Sequence, residues 1–145
     1  MRYSLANYVL SIEPNDSRLK SMFGTISIGG DGSYLGSITL SRTTSLFTTQ
    51  GYPTGGWVHS KNLDRTGTAS LNLNQLSSIV AKLVKMLNVY YTGDYDGLTL
   101  SVSDTSGNKI ASAIDCYITQ IPAQVLGSSA QDQTWSFTCG QVNFN

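Results

Sequence analysis

Apolar and polar residues alternate with period two along much of the chain, the signature of strands with one buried face. From Ile110 to Ile118 the even positions Ile110, Ile114, Cys116 and Ile118 are apolar, while Ala111, Ala113, Asp115 and Thr119 turn the other way. From Gln133 to Asn143 the odd positions Trp135, Phe137 and Cys139 oppose Thr134, Ser136 and Thr138. Paired as antiparallel neighbours through a symmetric connection around Gly127 and Ser128, these two runs place Cys116 opposite Cys139, both inward. Further strands are expected over Tyr34–Arg42, Trp57–Asn62, Thr66–Leu73 and Gly97–Ser103, with weaker ones over Tyr3–Ile12 and Phe23–Ile28. In the run from Gly97, Leu98, Leu100 and Val102 face one way and Thr99, Ser101 and Ser103 the other. The glycines and aspartate from Gly29 to Gly32, and the Ser106-Gly107-Asn108 triplet, supply turns, so a mainly antiparallel topology is expected.

One segment breaks the alternation. Leu76, Ile79, Val80, Leu83, Val84 and Leu87 recur at helical spacing, which predicts one flanking α-helix over about 76–87 that covers a sheet. Asn74 or Ser77 can cap its start, and Lys82 and Lys85 lie toward the expected C-terminal end, where they suit the helix dipole. The segment from Thr43 to Gly56 is too long for a hairpin turn and too apolar for an ordinary solvated loop. Phe47, Tyr52 and Pro53 need a surface to cover. Either it is an Ω-loop folded back on its own domain, or it is an arm that reaches another subunit.

Composition narrows the function classes. The 145 residues fit a single domain, 1–145, with 40% apolar and only 12% charged residues, about half the usual charged share. The polar surface must therefore be built largely from hydroxyls. A formal net charge of zero offers no basic excess for phosphate binding and favours self-association. The N-terminal stretch lacks the pattern of a signal peptide, and no apolar run is long enough for a membrane helix, so a cytosol-made chain with no membrane insertion is expected. In that compartment Cys116 and Cys139 stay reduced.

Candidate chemistry is thin. His59 is the only histidine and reads as part of a strand, no G-x-S-x-G elbow occurs, and neither cysteine sits in a protease signature, so no catalytic residue, and thus no enzyme, is expected. Asp94, Asp96 and Gly97 open like a calcium loop but lack its remaining ligands, which leaves a turn and no metal site. Gly30, Gly32 and Gly36 have the wrong spacing for a nucleotide loop, and a strand follows them; no cofactor is expected. The tyrosines could stack on sugars or bases, but without clustered Lys and Arg they read as core and interface residues.

The ordered set GSITLSRTT (36–44), GYPTGGWVHSKN (51–62), DRTGTASLNLNQLSS (64–78), DGLTLSVSDTSGNK (96–109), AIDCYITQIPAQ (113–124) and QTWSFTCGQ (133–141) resembles the tail tube proteins of tailed bacteriophages, chiefly those with contractile tails. The resemblance implies an antiparallel β-sandwich or barrel with a flanking helix. Six copies would join their strands into one ring-shaped barrel, and rings would stack into a conduit for genome delivery. It implies a tail sheath, a tape measure, a baseplate or tip and a terminator as partners, a place in the virion after assembly in the host cytoplasm, and DNA passing without specific binding. Within it, Phe47, Tyr52, Pro53 and Trp57 are candidate inter-subunit contacts, and Thr99, Ser101 and Ser103, or Thr134, Ser136 and Thr138, candidate lumen residues. A terminator ring or decoration protein, or a carbohydrate-binding module, would be the alternatives.

Overall fold

The expected alternation does resolve into strands in the computed structural model, which describes residues 7–29 and 35–145. The order is β1 (Tyr8–Pro14), α1 (Ser17–Phe23), β2 (Ile26–Gly29), β3 (Leu35–Arg42), β4 (Phe47–Gly51), β5 (Trp57–Lys61), β6 (Gly67–Asn74), α2 (Ser78–Thr92), β7 (Leu98–Asp104), β8 (Lys109–Ile118) and β9 (Asp132–Phe144). Seven strands form one antiparallel sheet in the order β2-β1-β7-β8-β9-β6-β3, and β4 and β5 form a separate pair. Residues 3–6 of the first expected strand, the glycine run 30–32 and Tyr34 lie outside the described residues.

The sheet must curl. Its two edge strands, β2 and β3, are joined by a connection of residues 30–34, which spans at most about 22 Å between Gly29 and Leu35. A flat sheet of seven strands would hold those edges roughly 29 Å apart. Curling gives a half-barrel, mostly β: the antiparallel strands are those the alternation predicts, and the barrel-like curvature is what the resemblance implies. Because neighbours run antiparallel, strand ends fall on two rims. A near rim carries Tyr8, Arg42, Gly67, Asp104, Lys109 and Phe144, and a far rim Pro14, Leu35, Asn74, Leu98, Ile118 and Asp132.

The concave face holds the core. Leu10, Ile12, Leu71, Leu73, Leu98, Leu100, Trp135 and Phe137 are buried there with Ile79, Val80, Leu83, Met86 and Leu87 of α2 in one cluster. Each such side chain contributes about 1.5–3 kcal/mol relative to an exposed one. The helix differs from its expected span. It runs from 78 to 92, with Ser77 as cap: the hydroxyl accepts from the backbone N–H of Ile79 at 3.3 Å. Leu76 therefore falls outside the helix and is 71% exposed, while Met86 and Tyr90 extend the buried stripe. Lys82 and Lys85 sit mid-helix, and the last turn carries no basic residue, so they do not complement the dipole there.

Strand β8 corrects the expected facing of its first half. Ala111 and Ala113 are buried, whereas Ile110 and Ile114 are exposed. The cause is a bulge: between Leu98↔Cys116 and Leu100↔Ala113, β8 has one residue more than β7. Asp115 takes up the excess with φ 57, a left-handed conformation that Asp tolerates better than most residues. Beyond it the expected parity returns, and Cys116 pairs with Cys139 across β8 and β9. Both thiols are free and buried, as the pairing predicts. The hydrogen bond to Cys139, together with burial, pushes the Cys116 thiol up, while the same bond lowers that of Cys139.

The short helix α1 has no counterpart in the sequence expectations; Phe23 ends it instead of opening a strand. Asp16 caps it, and the same carboxylate ties the helix to the loop before β7. Oδ1 accepts from the Arg18 backbone N–H at 2.9 Å, and Oδ2 from Arg18 Nη2 at 3.1 Å and the Asp96 N–H at 3.3 Å. Arg18 also donates to the Asp94 carbonyl at 2.8 Å and lies over the Tyr95 ring. The Arg18 side chain, with the two backbone N–H groups, holds the Asp16 carboxyl at about 2, below its ordinary 3.8. A depressed folded-state value means stabilisation that is present above about pH 4 and lost as pH falls through about 2. Asp16→Asn, which keeps a capping oxygen, is expected to flatten the acid limb of the melting temperature between about pH 4 and 2. A limb as steep as that of the unaltered chain would show that the carboxylate contributes nothing.

Candidate functional site

The segment 43–56 resolves into structure that its sequence did not announce: β4 lies inside it and pairs with β5 from Phe47↔Lys61 to Gly51↔Trp57. All ten residues of the two strands are exposed, so the hairpin stands away from its own sheet. Its tip is a tight turn in which the Tyr52 N–H donates to the Gly56 carbonyl at 2.9 Å and the Gly55 N–H to the Tyr52 carbonyl at 3.0 Å. Gly55 has φ 93, a region that glycine enters without steric cost. The root is fixed by hydrogen bonds: Thr43 N–H to the Thr66 carbonyl at 3.1 Å, Asn62 N–H to the Leu46 carbonyl at 2.7 Å, and Thr66 N–H to Asp64 Oδ1 at 2.9 Å. The last bond, with the Thr66 hydroxyl, holds the Asp64 carboxyl below its ordinary value.

The ladder sorts the hairpin into two faces. Phe47, Thr49, Trp57, His59 and Lys61 share one, and Thr48, Gln50, Val58 and Ser60 the other. On the first face Phe47 is 56% and Trp57 68% exposed, and between them Thr49 Oγ1 and His59 Nδ1 lie 2.8 Å apart. His59 is thus on the exposed arm, whereas Cys116 and Cys139 are sealed in the core. An isolated two-stranded ribbon is marginal in water. Two large exposed aromatic residues on one face are what a second surface would cover.

Thr99, Ser101 and Ser103 lie on the convex face, turned from the core. The register extends that face into rows of hydroxyls: Ser11, Ser101 and Ser112 across β1, β7 and β8, and Thr39, Ser70 and Ser136 across β3, β6 and β9. Asn72 links Ser37 and Thr134, donating to Ser37 Oγ at 2.9 Å and accepting from Thr134 Oγ1 at 2.7 Å. Glu13, beside Thr99, is paired with Lys20 at 2.7 Å. Both candidate hydroxyl sets therefore belong to one continuous face with little charge.

Each rim also has an apolar mouth. At the near rim a cavity of about 300 Å³ is lined by Tyr8, Ile38, Leu40, Val102, Ile110, Ala111 and Phe144. At the far rim one of about 290 Å³ lies between Leu76, Val80, Leu126 and the amides of Gln75, Gln124 and Gln133. Sequence reasoning missed both, since their residues come from separate segments that only the sheet brings together. No helix is long and apolar enough to cross a membrane among the described residues.

A sequence profile of the family described as bacteriophage PhiTE tail tube protein matches residues 17–145. No curated protein matches the chain. Several solved structures are similar in fold. The sheath–tube complex of the extracellular contractile injection system PVC in its extended state has a TM-score of 0.62 at 10% identity, covering 100% of this chain and 92% of that one. The PVC sheath/tube terminator in the extended state has a TM-score of 0.60 at 9% identity, covering 100% and 97%. The tube-terminating cap of the anti-feeding prophage has a TM-score of 0.55 at 11% identity, covering 100% and 93%.

Proposed function

The chain belongs to the bacteriophage PhiTE tail tube protein family, and from that membership we propose that it is the repeating subunit of a hollow tube whose work is polymerisation, not turnover. Six copies close a ring in which β2 and β3, each paired on one side only in the described subunit, gain partners from their neighbours. Rings stack head to tail, an arrangement that does not close on itself and so grows as a filament.

The observation that carries this reading is the hairpin of β4 and β5, exposed on both faces and bearing Phe47, Tyr52, Pro53 and Trp57. It is the arm that joins one subunit to another. The hydroxyl face with Thr99, Ser101 and Ser103 suits the lumen, because a wall rich in Lys and Arg would release counterions on contact with DNA and hold it, whereas hydroxyls let it pass. A sheath around the tube, a tape measure within it, a baseplate or tip at one end and a terminator at the other complete a contractile tail built in the host cytoplasm and carried in the virion.

Negative-stain electron microscopy of the purified chain at rising concentration is the test. Filaments with an axial channel are expected. Single rings that never stack would mark a terminator instead, and strictly monomeric protein even with its cognate tail tip would end the tube reading.

A further inference from the structure

The far-rim cavity is lined in part by Gln133. Gln133 is 6% exposed, and its Oε1 is buried without a hydrogen-bond partner among the described residues. Leaving a buried acceptor unpaired costs about 1–3 kcal/mol, so a donor brought by a binding partner is rewarded. Around that amide the cavity is walled by Val80, by Leu76 at 71% exposure and by Leu126 at 91%. Such exposure of leucines on either side of an amide describes a socket for an apolar group with a single donor.

We propose that this socket receives Trp57 from the arm of a second copy, with the indole body against Leu76, Val80 and Leu126 and its N–H turned to Gln133. The inference rests on the tube reading above and names the partner surface of the arm. Three observations select this occupant. Trp57 is the most exposed aromatic residue of the arm, and an indole combines a large apolar body with one donor. Arm and socket occupy opposite rims: the arm springs from between Arg42 and Gly67, and the socket from the ends of β6 and β9 with the loop between β8 and β9. A subunit cannot use both on itself, but two copies stacked in the same sense bring them together. The charges are also opposite in sign, because residues 43–63 include Lys61 and no carboxylate, while 119–133 include Asp132 and no Lys or Arg.

The test uses the full chain under conditions in which the unaltered protein forms tubes. Leu126→Asp, at a site too exposed to affect folding, and Trp57→Ala are each expected to lower the sedimenting fraction at least tenfold while the melting curve stays unchanged. A chain carrying both Val58→Cys and Leu126→Cys, which keeps Trp57, is expected to give a ladder of multimers with a short bismaleimide. Its digest should contain peptides linked between positions 58 and 126. Normal sedimentation of Leu126→Asp overturns the socket. So does a link from position 126 to any site other than the arm, including one on another kind of protein. If the unaltered chain makes no tubes, it is the tube reading that fails, and the two failures are told apart.

Discussion

Aspartate in place of Phe47 is expected to abolish tube formation and leave a folded subunit. Phe47 is 56% exposed on a hairpin whose strands pair only with each other, so the free subunit loses little burial. In an assembled interface the same position would place a carboxylate in a desolvated apolar contact. An unpaired charge there costs several kcal/mol per contact. In the proposed tube of stacked rings every subunit would repeat that penalty, so the expected loss is all-or-none at the level of the filament. Electron microscopy and sedimentation measure the outcome, with thermal unfolding as control; tubes of ordinary length from Phe47→Asp would remove the arm from the assembly.

The second large effect is on folding. Trp135 is 0% exposed and pairs with Leu71 at the centre of the concave face. Trp135→Ala is expected to cost about 3–5 kcal/mol, the range for emptying a buried aromatic site. For a chain of this size that is a fall in melting temperature on the order of 10–20 °C. Its Nε1 is buried without a partner among the described residues, so Trp135→Phe, which removes the unmet donor with part of the ring, should cost much less. Equal losses for the two variants would contradict this account.

What was legible in the sequence follows from which physical signal each element carries. Period two is written only where one face is buried and the other wet, which is why β6, β7 and β9 read clearly and why Cys116 could be set against Cys139. The hairpin of β4 and β5 has no buried face, so nothing in its order of residues separates inside from outside, and its first strand reads as part of a long loop. Helix α1 buries Leu19 alone among its residues and gives no stripe. Asp16 before it and Gly24 after it are cap residues that could have marked it. A stripe that stops at Leu87 ends α2 too early, because Tyr90 continues it and Met86 widens it. The arm's anchors are visible as apolar residues without a core to join; the socket is not, since it exists only once Leu76, Leu126 and Gln133 meet.

The bulge at Asp115 bears on how this chain can change length. Gly97 and Gly140 flank it, and a Cβ on Gly97 would come within 2.6 Å of Asp115 Oδ1. Deleting residue 115 would bring β8 level with β7, with Ile114 still outward and Ala113 and Ala111 still inward, but would leave it one residue short against β9, whose ladder runs in constant register from Ala111↔Phe144 to Cys116↔Cys139. One half of the β8–β9 ladder would then have to slip by a residue, setting inward side chains of one strand against outward ones of the other. A one-residue gap here is thus far more disruptive than a several-residue change in the loop from 119 to 131, and tolerated insertions and deletions should collect in that loop and avoid the strand.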